Sequence, residues 1–169
     1  MFKNKKIIIF DMDGTLIDSI GIWNKVDMEL ISRLSPVTDI SEEMVQMQRD
    51  SLLRQYSSAE FPYIEYCRAL GERYASSLNS DEIHTLRYDI AQDFLRNEID
   101  YKKDAELFLR ELKGQGYLLV IASTTRKKNM DIYRFQNGNL MKKAPIDDVF
   151  SAVYTREDAQ EIKPHPEIY

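Results

Sequence analysis

The stretch Ile7-Ile8-Ile9-Phe10-Asp11-Met12-Asp13-Gly14-Thr15-Leu16 decides how the rest of the chain is read. Its first four residues are apolar and mostly β-branched, which predicts a strand buried on both faces, as in a parallel sheet. In open α/β sheets ligands bind beyond the carboxyl ends of the strands. Two carboxylates with one residue between them sit at that end. The first can attack as a nucleophile and the second can move protons. Gly14 permits a sharp change of direction, and Thr15 can tie the turn together by hydrogen bonds. A plainer reading stays open, because Asp-Gly is also ordinary turn chemistry.

A second apolar run, Tyr117-Leu118-Leu119-Val120-Ile121-Ala122, reads as another buried strand. Ala105, Phe108, Leu109 and Leu112 precede it at helical spacing, and Gly114 and Gly116 end that helix. Helix, tight turn and buried strand form the repeating unit of an α/β sheet. Ala152-Val153-Tyr154 is a weaker third strand. The second run ends in Ser123-Thr124-Thr125-Arg126. Hydroxyls and backbone N–H groups there can bind phosphate oxygens, helped by a following helix N-terminus. They can equally serve as helix caps. Farther on, Glu161-Ile162-Lys163-Pro164-His165-Pro166 places two prolines after one lysine. The prolines restrict the backbone and would hold Lys163 in a defined pose, although a lysine in a loop before a helix is the alternative.

Between the first two strands the pattern changes. Trp23, Val26, Leu30 and Leu34 share one helical face, and Ile83, Leu86, Ile90 and Phe94 share another. Asp39 or Ser41 can cap a helix that begins with Glu42 and Glu43, and Asn79 or Ser80 the one carrying Ile83. Gly21 and Gly71 are the only glycines of this stretch. It reads as an all-helical insertion whose apolar stripes are core. Trp23, Arg54, Tyr56, Tyr63 and Arg68 are read as packing and solvated residues before pocket residues. Phe135-Gln136-Asn137-Gly138-Asn139 is a turn inside a long stretch between Ser123 and Lys163, where an extra loop near the site is expected.

Composition narrows the function. The chain has 169 residues, 43% of them apolar, and a net charge of −5 from 23 basic and 28 acidic residues. That balance argues against a general nucleic-acid binder and against docking on an anionic membrane. Lys3, Lys5 and Lys6 precede an apolar run that ends at Asp11, too short for a signal peptide. No run approaches the roughly 20 apolar residues of a spanning helix. A cytoplasmic location is expected. The single cysteine, Cys67, supports neither an internal disulfide nor a zinc cluster, and is read as an inert packing residue. His165 is read as a loop residue and His84 as a surface or edge residue of the insertion.

With these motifs in order, the sequence resembles the haloacid dehalogenase superfamily. Asp11-Met12-Asp13-Gly14-Thr15 is similar to its first motif, Ser123 to its second, and Lys163-Pro164-His165-Pro166 to its third. The resemblance implies an α/β fold with a Rossmann-like parallel core in two segments, 1–16 and 99–169, around a helical cap over 17–98. It implies that Asp11 attacks phosphorus to give an aspartyl phosphate, and that Asp13 protonates the leaving oxygen and then activates water. Ser123 and Lys163 would hold and neutralise the phosphoryl group, with Met12 and Thr124 also in contact with phosphate. Mg²⁺ would sit on the Asp11 carboxylate and the Asp13 carbonyl. The second aspartate favours a phosphatase or phosphomutase over a dehalogenase, acting on a small phosphorylated metabolite.

The resemblance also implies a fourth, acidic motif after a further buried strand. The sequence ends at Tyr169 before one, and Asp147-Asp148 precedes Lys163 and is no substitute. The first strand is therefore expected at an exposed sheet edge, open to self-association or to a completing chain. A truncated product, a fragment and a non-catalytic binding remnant remain alternatives.

Overall fold

A computed structural model describes residues 4–36, 40–161 and 163–169. Lys3, the cap candidate Asp39, and Ile162 lie outside the described residues. The chain divides into two compact units, residues 1–20 with 95–169, and residues 21–94. The sequence expectation had placed these divisions at 16/17 and 98/99. The first unit reaches farther because residues 16–18 pair with residues 100–102. Asp18 N donates to Asp100 O at 3.0 Å and Lys102 N to Leu16 O at 2.9 Å, on either side of an antiparallel bridge between Ile17 and Tyr101.

The first unit is built on a parallel sheet of β1 (Ile7–Phe10), β2 (Leu118–Ala122) and β3 (Ala152–Tyr154), in the order β1-β2-β3. β1 thus forms one edge. The register sets Ile7 beside Leu118 and Phe10 beside Ile121. α5 (Ala105–Gly114) leads into β2, and Gly116, at φ +87°, makes the left-handed turn between them. α6 (Lys127–Phe135), α7 (Gly138–Lys143) and α8 (Ile146–Val149) join β2 to β3.

The expectation that the first two strands are buried on both faces is corrected. Ile7, Ile9 and Leu118 are 54%, 43% and 51% exposed. The register places them on the same face of the sheet. On the opposite face Leu119 and Ile121 are fully buried, and Phe10 meets the edges of Phe108 and Phe150 at centroid distances of 6.4 and 6.2 Å. The helices therefore cover one face. An apolar run has the same composition whether one face or two are covered.

The extra loop expected between Ser123 and Lys163 is corrected, since α6, α7 and α8 occupy most of the way to β3. The turn expected at residues 135–139 is a tight junction between α6 and α7. Buried Asn137 caps α7 by accepting from Leu140 N at 2.9 Å, and its amide donates to Leu95 O and Ile99 O at 2.7 and 3.0 Å. One side chain thus meets three main-chain groups, and Asn139 Nδ2 adds a second contact to Ile99 O at 3.2 Å.

The second unit is helical, with α1 (Ile22–Leu34), α2 (Glu42–Gln55), α3 (Pro62–Arg73) and most of α4 (Ser80–Asn97). Ser41 caps α2 by accepting from Met44 N at 3.2 Å. Asn79 caps α4 through Asp81 N and Glu82 N, and Glu82 reaches back to Asn79 N, which makes a capping box. The apolar stripes meet in one core containing Val26, Leu30, Val45, Tyr66, Leu70, Ile83 and Ile90. A Cβ at Gly71 would stand 2.8 Å from Ile83 Cδ1, so a larger residue there would make that side chain shift. Cys67 is buried in this core, and burial pushes its thiol up to about 12, which makes it inert as expected.

Candidate active site

The site lies where β1 and β2 end. Met12 is fully buried, and its carbonyl accepts from the N–H groups of Thr15, Leu16 and Ile17 at 3.3, 2.9 and 3.2 Å. Gly14 N donates to Ile17 O at 3.1 Å and to Ser19 Oγ at 3.2 Å. Gly14 has φ +72°, where a Cβ would be strained and would press on Ile20 at 3.3 Å. This closed turn holds Asp11 and Asp13 at the strand end.

The two carboxylates have different company. Asp11 Oδ1 accepts from Lys163 Nζ at 2.6 Å, and Asp11 Oδ2 from Thr15 Oγ1 at 3.3 Å. The same Lys163 Nζ donates to Ala122 O, the last carbonyl of β2, at 2.7 Å. One ammonium therefore ties residues 152 positions apart. The ring of Tyr169 lies 5.3 Å from that nitrogen, a cation–π separation. Asp13 instead accepts from two hydroxyls, Thr125 Oγ1 to Oδ2 and Tyr133 Oη to Oδ1, the latter at 3.2 Å.

Ser123 is buried directly after β2. Its N–H donates to Tyr154 O at 2.9 Å and its hydroxyl oxygen accepts from Thr125 N at 3.1 Å. That contact uses the oxygen and leaves the O–H free to donate elsewhere. Thr124 is exposed. The hydroxyl that reaches a carboxylate is that of Thr125. The N-terminus of α6, which had been expected to help bind phosphate, already has an anionic partner. Lys127 N donates to Glu157 Oε2 at 2.8 Å, and this hydrogen bond holds the Glu157 carboxyl below its usual range.

Sequence reading missed Tyr133. Its signal was present, because Met130 and Tyr133 share a face of α6, and both are buried. A buried tyrosine hydroxyl needs a polar partner. Burial, and then the Asp13 charge, push the Tyr133 phenol well above its ordinary range, so it stays a neutral hydroxyl. Glu157 had no comparable signal. His165 is exposed, and its Nδ1 accepts only a long 3.4 Å contact from Glu167 N.

Among the described residues, no group of three or more His, Cys, Asp and Glu side chains is assembled to hold a metal ion. Mg²⁺ demands less of a protein. One or two carboxylates usually hold it, with waters and substrate phosphates completing the shell. Asp11 offers a hard oxygen donor that is 40% exposed, and among the described residues its Oδ2 meets the long Thr15 contact alone. The donor chemistry fits.

The family model for haloacid dehalogenase-like hydrolases matches residues 8–169. The chain belongs to this family. Among its relatives, the protein YhcW of Bacillus subtilis is 26% identical over 164 residues, covering 97% of this chain and 66% of YhcW. The pyrophosphatase PpaX of Bacillus cereus is 22% identical over 160 residues, covering 95% of this chain and 63% of PpaX. The chain thus spans just under two thirds of the length of these two relatives. Among solved structures, the HAD-hydrolase YfnB of Bacillus subtilis, bound to magnesium, superposes with a TM-score of 0.67 at 14% identity, covering 98% of this chain and 71% of YfnB. This haloacid dehalogenase-like chain shares the fold of YfnB. No helix among its described residues is long and apolar enough to cross a membrane.

Proposed function

We propose that this chain carries the nucleophile, acid/base and phosphate-binding residues of a Mg²⁺-dependent phosphohydrolase acting on a small phosphorylated metabolite. The observation that carries the reading is the difference in company between Asp11, which meets a cation, and Asp13, which among the described residues meets hydroxyls. Asp11 attacks phosphorus, and an O–P bond forms as the bond to the leaving oxygen breaks. Asp13 gives that oxygen its proton. Asp13, now a carboxylate, takes a proton from water; the water oxygen attacks the aspartyl phosphate, and the Asp11 carboxylate departs from inorganic phosphate. Lys163 offsets the charge that gathers on the phosphoryl oxygens, and the Ser123 hydroxyl donates to one of them. The Asp11 carboxylate and the Asp13 main-chain carbonyl would hold Mg²⁺, which supplies further neutralisation of phosphoryl charge. The magnesium bound by YfnB and the pyrophosphatase name of PpaX support the same reading.

The test is hydrolysis of an aryl phosphate with and without Mg²⁺, beside Asp11→Asn. Metal-dependent phosphate release that falls by about 10⁴ or more in the variant is expected, the scale typical for loss of a nucleophile. Turnover that survives in Asp11→Asn would sink the assignment. With a hexose phosphate, isomerised product without phosphate release would mark a phosphomutase instead.

A further inference from the structure

We propose that Tyr133, together with Thr125, is the positioning pair of Asp13, holding its carboxyl group in place while it gives and regains a proton. The inference rests on the reading of Asp13 as the acid/base. Each Asp13 oxygen meets one hydroxyl, Oδ1 that of Tyr133 and Oδ2 that of Thr125. A hydroxyl both donates and accepts, whereas an ammonium only donates. Toward the carboxylate both hydroxyls donate. When one Asp13 oxygen carries a proton, the hydroxyl facing it turns and accepts a hydrogen bond from that O–H, so the carboxyl group keeps its orientation in both states. Lys163 offers Asp11 no such reversal, which suits a nucleophile that has to stay ionised.

The two hydroxyls come from rigid surroundings. Tyr133 is buried on the inward face of α6 with Met130, so packing fixes its reach. Thr125 is held at its main chain, with its N–H on Ser123 Oγ and its carbonyl accepting from Arg156 N at 3.0 Å. Placement within a fraction of an ångström is what proton transfer to a departing oxygen requires.

The leaving group supplies the test. A nitrophenolate leaves without help, whereas an alkoxide needs a proton as it departs. The quantity to compare is kcat/KM, which covers the steps through leaving-group departure, for 4-nitrophenyl phosphate and a simple alkyl phosphate. Tyr133→Phe should lower the alkyl value by about 10- to 100-fold, part of the 10²–10⁴ that general-acid catalysis contributes, and the aryl value by less than about threefold. Thr125→Val should show the same selective loss, and Thr125→Ser should restore it. The Thr125 pair keeps the test intact if Tyr133→Phe does not fold. Equal losses on both substrates would reduce the pair to a packing role and overturn the inference, as would no loss on either. A wild-type chain silent on both substrates would instead overturn the phosphohydrolase reading, and this inference with it.

Discussion

Each unit of the molecule contains carboxylates 2.6 Å from a cation, and one such pair from each unit differs sharply from the other in burial and in spare capacity. In the sheet unit, Asp11 meets Lys163 with 40% and 20% of their side-chain surfaces exposed. In the helical unit, Asp27 meets Arg87 with 0% and 6% exposed. Asp27 is saturated. Arg87 grips both of its oxygens, at 2.6 and 3.2 Å, and Arg49 adds a third contact at 3.0 Å while also holding Asn24. The rings of Trp23, Tyr63 and Tyr66 lie 5.1, 5.3 and 5.7 Å from the Arg87 guanidinium carbon. Burial disfavours the charge on Arg87, but the hydrogen bond to Asp27, the Asp27 charge and the nearby phenols together outweigh it, so the arginine is held more firmly protonated than usual. Asp11 has one cation, one long hydroxyl contact and access to solvent. A close ion pair is therefore no mark of a functional site by itself. Spare donor and acceptor capacity, open to a ligand, is the mark.

Removing one partner from the buried pair should give the largest effect. Asp27→Ala leaves Arg87 charged and enclosed, and loss of one member of such a pair costs about 3–5 kcal/mol. The only tryptophan of the chain, Trp23, sits on Arg87, so urea unfolding followed by tryptophan fluorescence reads this unit directly. A loss below about 1 kcal/mol would mean that Asp27 is no more committed to stability than an exposed aspartate. Replacing both partners by apolar residues, Asp27→Leu with Arg87→Met, should recover most of the loss.

The open pair should respond the other way. Lys163→Met is expected to lower kcat for an aryl phosphate by about 10²–10³, the scale for losing one group that stabilises transition-state charge. Its stability should change by less than about 1 kcal/mol, as for partly exposed ion pairs. Phosphate release and circular-dichroism melting on the same sample separate the two effects. A variant that melts early and turns over normally would make Lys163 a structural residue, and the contrast between the two pairs would collapse.

The same contrast explains what was legible in the sequence. Asp11 and Ser123 each follow a strand directly, Asp13 stands two residues beyond Asp11, and Lys163 is set off by prolines, so local pattern flags them and the family resemblance suggests their roles. The Ser41 and Asn79 caps are equally local. Arg87 and Asp27 lie 60 residues apart on separate helices, and nothing in the spacing of either residue announces the other. Tyr133 and Thr125 reach Asp13 across 120 and 112 residues. Their role depends on where α6 packs, a tertiary fact. The exposure of Ile7 and Ile9 was hidden for the same reason, since covering a strand face is the work of other elements.

The smallest expected effect probes how completely the buried cluster is satisfied. Tyr66 is fully buried, and among the described residues its hydroxyl and the Gln48 amide nitrogen are buried with no hydrogen-bond partner. Burial, and then the Asp27 charge, push the Tyr66 phenol far above its ordinary range, so the hydroxyl is neutral and desolvated at any working pH. An unpartnered buried polar group costs about 1–3 kcal/mol. Tyr66→Phe removes the oxygen and keeps the ring beside Arg87, so a gain of about 1 kcal/mol in urea unfolding is expected, and the small cavity left behind limits it. A loss of 1 kcal/mol or more would show that the hydroxyl has a partner in solution. The helical cluster would then have polar capacity in use that its contacts do not reveal, and the sharp division between a closed pair and an open one would narrow.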